Sequence, residues 1–225
     1  MKLYADPIST TCRPVMLLFA ESGAAHDFVH IDLMSGAHMK PDYLAINPSH
    51  AVPALGDGDF VLTESSAILK YVADKINSPA YPKDPKKRAK INSLMDWINT
   101  GFYRDFGYSF CYTQMFPHMK HADEKVQSAV VAASRERARK WLDILDKDII
   151  GPKSKYLLGD DITIADYFGA CIVTLADVIR ADLSAWPNVQ RWLKNMKALP
   201  SWDKTNEGFN RKFVGGYQGV PFAIL

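Results

Sequence analysis

The sequence predicts a small mixed α/β domain followed by an all-α bundle, and three observations predict it. Up to about Ile76 the apolar patterns are short and switch between a two-residue and a helical period. The stretch NSPAYPKDPKKR then brings three prolines and a run of lysines, a composition suited to a connector. Beyond it every apolar stripe recurs at helical spacing. Within a chain of 225 residues, long enough for one large domain or two small ones, the expected division is 1–77, a linker at 78–87, and a helical domain at 88–225.

The elements follow in order. KLY reads as a short strand. TCRPVMLLFAESG reads as a helix, with Val15, Leu18 and Phe19 at helical spacing and Gly23 as terminator. Pro14 is tolerated there because the first turn leaves its N–H groups unpaired in any case. FVHIDL alternates as a strand does. VPAL, Val52 to Leu55, and FVL flank the turn GDGD and read as a hairpin. ESSAILKYVADKI sets Ile68, Leu69, Val72, Ala73 and Ile76 on one helical face. The order is β-α-β, then β-β-α. In the second half Ile91, Leu94, Met95 and Ile98 form one helical stripe. Ala138, Trp141, Leu142, Leu145 and Ile149 form another, and Ile164, Phe168, Cys171, Ile172, Leu175 and Ile179 a third. NVQRWLKNMKAL is a shorter helix stopped by Pro200.

Composition narrows the function classes. An apolar share of 48%, a charged share of 23% and a net charge of +2 describe an ordinary globular protein with no bulk pull toward nucleic acid or acidic membrane. The one basic run reads as a solvated linker. No apolar run approaches the roughly 20 residues that span a bilayer, and MKLYADPISTT lacks the apolar core of a signal peptide. The three cysteines, Cys12, Cys111 and Cys171, are widely spaced. They fit reduced cytoplasmic thiols and give neither a disulfide framework nor a metal pattern.

The β-α-β-β-α order with a proline before the third strand suggests a thioredoxin-like module. Its redox form places C-x-x-C after the first strand, at a helix N-terminus. Here that place reads STTCR, with Ser9 in the position of the attacking cysteine and only Cys12 retained. Dithiol exchange lacks its second thiol, and single-cysteine chemistry remains an alternative. A serine hydroxyl beside free N–H groups and the positive end of a helix can donate to a ligand's anion. A ligand thiol bound there is stabilised as thiolate, the nucleophilic form. Taken alone, this stretch favours Ser9 as a helix cap.

A second helix opens with TESS. Ser65 and the N–H groups of that first turn suit a carboxylate, and Glu64 suits an ammonium, so together they suit the α-amino-acid end of a ligand. Thr63 or Ser65 also reads as the N-cap. Pro53 cannot donate to a strand ladder. A cis bond between Val52 and Pro53, at about 0.5–1 kcal/mol relative to trans, turns the Val52 backbone toward an extended peptide. The ligand expected is a short peptide with a thiol near Ser9, its backbone along Val52 and its amino-acid end at Ser65.

These residues carry a family resemblance. The S-x-x-C-R pattern of Ser9 to Arg13 resembles that of soluble glutathione transferases, most of all the theta and delta classes with a serine in the active site. GAHMKPDYLAINPSHAVPAL, TESSAIL, YPKDPKKRA and GDDITIADY are similar to the same family, from end to end of the chain and least in its last residues. The resemblance implies a thioredoxin-like domain followed by a helical bundle, and a cytoplasmic homodimer. It implies a transferase that uses glutathione as co-substrate, with no metal. It assigns Ser9 to the glutathione thiolate, Val52 and the family's cis-proline Pro53 to the cysteinyl backbone, and Glu64, Ser65 and Ser66 to the γ-glutamyl end. Ser66 stands where delta-class members often carry arginine. His38 and His50 match positions near the glycyl carboxylate, and both also read as exposed loop residues. A non-catalytic glutathione-binding module, and a glutathione-dependent oxidoreductase or dehalogenase, are the alternatives.

Three further readings complete the sequence. Thr163 and Asp166 form a capping box, so Asp166 is expected to hold a helix start rather than to act as a catalytic acid. FYRDFGYSFCYTQMF is rich in aromatics; Tyr103, Phe106, Tyr112 and Phe116 are expected to line an apolar pocket for the electrophile, with Phe102 and Phe110 in the bundle core. Tyr4 is expected to pack within its strand. The tail FVGGYQGVPFAIL is too apolar to float, and folds over the pocket or packs on the bundle.

Overall fold

Four short strands carry the first half of the computed structural model, which describes all 225 residues. Strand β1 (Lys2–Ala5) lies parallel to β2 (Asp27–His30) and antiparallel to β3 (Ala54–Asp57), and β3 pairs antiparallel with β4 (Phe60–Thr63), giving the order β2-β1-β3-β4. Helix α1 (Arg13–Ser22) makes the crossover between the parallel strands, as such a pair requires. It buries Val15, Leu17, Leu18 and Phe19 and ends where Gly23 takes a left-handed φ of 66°. A short helix α2 (Pro41–Leu44) precedes β3, and α3 (Ser65–Lys75) follows β4 and packs on α1.

The hairpin starts two residues later than VPAL suggests: β3 begins at Ala54, so Val52 and Pro53 lie outside the ladder and free to serve a site. The expected linker is also shorter in its unstructured part. Pro85–Lys87 form the first turn of α4 (Pro85–Trp97), capped by Asp84, whose side chain accepts from Lys87 N at 2.8 Å.

From α4 onward the chain is helical. A long π-helical stretch, Ile98–Tyr112, continues α4, and a single turn α5 (Thr113–Met115) closes it. Helix α6 (Glu124–Ile144) packs along this stretch. Gly101 makes the close approach possible, since a Cβ there would sit 2.7 Å from the Trp141 ring. Helix α7 (Ile164–Val173) is buried along its whole length, which explains its apolar stripe; α8 (Leu175–Val178) continues its course after a break at Thr174. Asp166 anchors its start: the carboxylate accepts from Thr163 N at 2.8 Å, Leu157 N at 2.8 Å, Thr163 Oγ1 at 2.9 Å and Trp192 Nε1 at 2.9 Å. Burial pushes the Asp166 carboxyl upward in pKa, and these donors oppose it. Helix α9 (Pro187–Lys197) is the expected short helix. Helix α10 (Trp202–Phe209), followed by a π-helical turn (Asn210–Gly215), has no counterpart in the sequence reading.

One core runs through both halves. Arg13 crosses between them. It is fully buried, and its guanidinium donates to Thr174 Oγ1 at 3.1 Å, Asn206 Oδ1 at 2.6 Å and the Cys171 carbonyl at 2.8 Å, lying 3.5 Å over the Phe209 ring. No helix is long and apolar enough to cross a membrane.

Candidate active site

The strand register gathers three loops at one end of the sheet. Tyr4 pairs with Ala54 and Ala54 with Thr63, so the end of β1, the start of β3 and the end of β4 lie side by side. Ser9 follows the first, Val52 and Pro53 precede the second, and Glu64 and Ser65 follow the third. Buried Asp6 shapes the first loop. Its carboxylate accepts from Ile8 N at 3.1 Å and Leu33 N at 2.8 Å, and its carbonyl accepts from Ser9 N at 3.0 Å. Nothing in the local pattern of the sequence marks this role, because Leu33 is brought in by the fold.

Ser9 stands half-buried before α1. Its Oγ accepts from Cys12 N at 3.4 Å and lies 3.1 Å from Thr11 Oγ1. Thr11 spends its only hydroxyl hydrogen on the Val52 carbonyl at 2.9 Å, so Ser9 is the donor to Thr11. The backbone N–H groups of Thr10, Thr11 and Val52 have no partner within the protein. The Val52–Pro53 peptide bond is cis. Tyr43 Oη and Asn47 Nδ2, each at 2.7 Å, both donate to the Ala51 carbonyl and hold the approach to Val52. His38 and His50 flank this loop, and His38 Nδ1 is shielded from solvent without a hydrogen-bond partner. Cys12 is fully buried and its thiol is pushed up to about 12 by burial, so it is a packing residue with no accessible thiolate.

The second helix start differs from the cap expected of it. Glu64, not Thr63 or Ser65, occupies the N-cap position, at φ 70°, and no side chain caps the helix. A non-glycine residue held in that region costs on the order of 1–3 kcal/mol, and such strain gathers at ligand sites. The first helical backbone bond is Ile68 N to Glu64 O, leaving the N–H groups of Ser65, Ser66 and Ala67 open.

Above Ser9 lies a cavity of about 810 Å³ between the two halves of the chain. Ser9, His38, His50 and Val52 line it from one side, and Tyr103, Tyr112 and Phe116 from the other. Pro53, Glu64, Ser65 and Ser66 do not line it; they sit beside it along the sheet end. Phe106 is a correction. It is fully buried, stacks on Phe102 at 5.0 Å and 11°, and belongs to the core. The π-helix is the reason: its i→i+5 bonds widen each turn, so one face recurs every four to five residues. Tyr103, Tyr108, Tyr112 and Phe116 therefore share the cavity face, with successive ring centroids 4.8, 5.3 and 5.2 Å apart. Tyr108, which the sequence reading did not name, takes the place on this face expected of Phe106. Gly107 is required by the same ladder, because a Cβ would stand 2.3 Å from the Tyr103 ring.

The chain matches two family models, described as the N-terminal domain of glutathione S-transferase over residues 1–74 and its C-terminal domain over residues 108–200. Glutathione S-transferase D7 of Drosophila melanogaster is 30% identical over 226 residues, covering 98% of this chain and 96% of that one. This chain belongs to the glutathione S-transferase family. Among solved structures, a delta-class glutathione transferase of Nilaparvata lugens is 33% identical, with a TM-score of 0.82 over 96% of this chain and 98% of that one. The apo form of human glutathione S-transferase T1-1 is 26% identical, with a TM-score of 0.83 over 98% and 92% of the respective chains. The thioredoxin-like and all-helical architecture is theirs too.

In this transferase a second chain of hydroxyls reaches the Ser9 loop from the helical side. Tyr112 Oη donates to Thr10 Oγ1 at 2.8 Å, and Tyr103 Oη, 2.7 Å from Tyr112 Oη, is then the donor to it. Burial raises both phenols, Tyr112 to about 12, so each remains a donor at neutral pH. The tail forms the last wall. Tyr217 Oη donates to the Met115 carbonyl at 2.6 Å, and Arg180 donates to the carbonyls of Tyr217, at 3.0 Å, and of Val220. The tail thus does both things its apolar character suggested: it packs on the bundle and closes one side of the cavity.

Proposed function

We propose that this transferase adds the thiolate of glutathione to an apolar electrophile held between Ser9 and the tyrosine face. The observation that carries the reading is the set of open groups around one cavity: the Ser9 hydroxyl, the unpartnered N–H groups of Thr10, Thr11 and Val52, and the orphaned His38 Nδ1. Turning the Ser9 hydroxyl from Thr11 to the ligand supplies a donor to sulfur and keeps the thiol ionised. The proton goes to solvent, sulfur bonds to the electrophilic carbon, and the electron pair leaves with a departing group or onto an adjacent carbonyl. Val52 pairs with the cysteinyl backbone. Glu64, Ser65 and Ser66 hold the γ-glutamyl end through the open start of α3, and His38 and His50 meet the glycyl carboxylate. Phe60 and Val61, both exposed, with Phe60 packed on Tyr71, offer a face for the second copy of a homodimer. A buried Cys12 counts against the oxidoreductase alternative.

Calorimetric titration with glutathione, run beside a conjugation assay with 1-chloro-2,4-dinitrobenzene, tests the reading. Saturable binding with thiolate absorbance appearing below the free thiol's pKa is the expected result. No heat at millimolar glutathione overturns it.

A further inference from the structure

Two basic side chains on the helical wall have no duty in holding glutathione. His118 and Lys212 both line the cavity, and no Asp or Glu does. The acids nearest to them in sequence are already engaged: Asp123 accepts from Lys125 N and Val126 N at the start of α6, and Glu207 lies 3.9 Å from Arg211. The segments that carry the pair are joined. His118 stacks on Phe116 at 5.7 Å and 19°, Phe116 meets Phe213 edge-on at 5.7 Å, and Tyr217 ties back to the Met115 carbonyl at 2.6 Å. His118 and Lys212 therefore line the same cavity as the tyrosine face, on two segments braced against each other. A cleft with apolar walls and charge of one sign at its rim concentrates ligands of the opposite sign.

We propose that the electrophiles this site prefers carry a carboxylate on an aromatic or other flat apolar body, with the carboxylate seated between His118 and Lys212. The inference rests on the transferase reading above. One unit charge and one imidazole donor match a carboxylate, while the tyrosine face takes the ring and Ser9 holds the attacking sulfur.

The test compares 4-chloro-3-nitrobenzoate with its methyl ester, each with glutathione. In both, sulfur bonds to the ring carbon bearing chlorine and chloride leaves with the bonding pair. Because the ring substituent alters intrinsic reactivity, KM is the readout. The acid is expected to show a KM about three- to fivefold below the ester, as for a partly exposed ion pair, and the advantage shrinks as salt is added. Lys212→Met with His118→Gln brings the ratio to near one, and Lys212→Arg keeps it. Equal KM values in the unaltered protein, or a ratio that survives in the double variant, overturn the proposal. If neither compound reacts, the transferase reading is judged on 1-chloro-2,4-dinitrobenzene, and calorimetry with the two preformed conjugates decides the anion site. Tighter binding of the carboxylate conjugate supports it; equal binding overturns it.

Discussion

The two walls of the cavity are built by different means. The thioredoxin-like wall works with main chain: the N–H groups of Thr10, Thr11 and Val52, a cis peptide bond, and Glu64 held at φ 70°. The helical wall works with side chains: a tyrosine face, two buried phenols, a lysine and a histidine. Main-chain donors are set by loop geometry and resist change of residue type, which suits a ligand that is always the same. Side chains can be exchanged one at a time without disturbing the fold, which suits the ligand that varies. On the proposed reading, selectivity toward the electrophile is written on one wall and the use of glutathione on the other.

The sharpest way to break this division is Ser9→Ala, because Ser9 is the side chain on the main-chain wall that the proposed reading places at the reacting atom. Loss of one donor to a charged acceptor costs about 1.5–3 kcal/mol in the transition state, roughly a ten- to hundredfold fall in kcat/KM. The affinity for glutathione is expected to change little, and the absorbance of bound thiolate should move to higher pH. A silent Ser9→Ala would remove the chemistry from this wall. A smaller effect is expected from Tyr112→Phe, which cuts the link between Tyr103 and Thr10 and costs about 1 kcal/mol of stability. Its kinetic effect should fall on the KM for the electrophile and leave the KM for glutathione in place; a change confined to glutathione would erase the distinction between the walls. The smallest expected effect is none. Burial raises Cys12 to about 12 and Cys171 to about 11, and pushes Cys111 up as well, so no thiolate forms near neutrality. An aromatic disulfide reagent at pH 8 should find none of the three cysteines in the folded protein and all three in guanidinium.

What was legible in the sequence follows the same line. Ser9, Val52 and the helix start at Ser65 are local signals, each set by a turn, a proline or a cap within a few residues. The helices announced by long stripes, such as that of Ile164 to Ile179, are found because their apolar faces are wide and fully buried. The helical wall was read less well. The aromatic richness of FYRDFGYSFCYTQMF put Phe106 in the cavity and left out Tyr108, because composition does not say which rings share a face, and no local signal distinguishes a π-helix from an α-helix until Gly107 and Tyr103 are seen in contact. Helix α10 carries few apolar residues, with Trp202 and Phe209 its large buried ones, too sparse a stripe to stand out. Asp6, His118 and Lys212 gain their roles from residues distant in sequence, so their neighbours in the chain say nothing about them.

Arg13 has a consequence for how such a chain can be inherited. The cation belongs to the first half, while Thr174, Asn206 and the Cys171 carbonyl, which satisfy it, belong to the second. A recombination that joined this first half to a foreign helical half lacking those acceptors would enclose a guanidinium with nothing to bind, a penalty of several kcal/mol against a native stability of only about 5–15 kcal/mol. The halves are therefore not interchangeable parts. Arg13 makes each the other's condition for folding, and exchange between lineages is confined to halves that bring the same three acceptors to the same place.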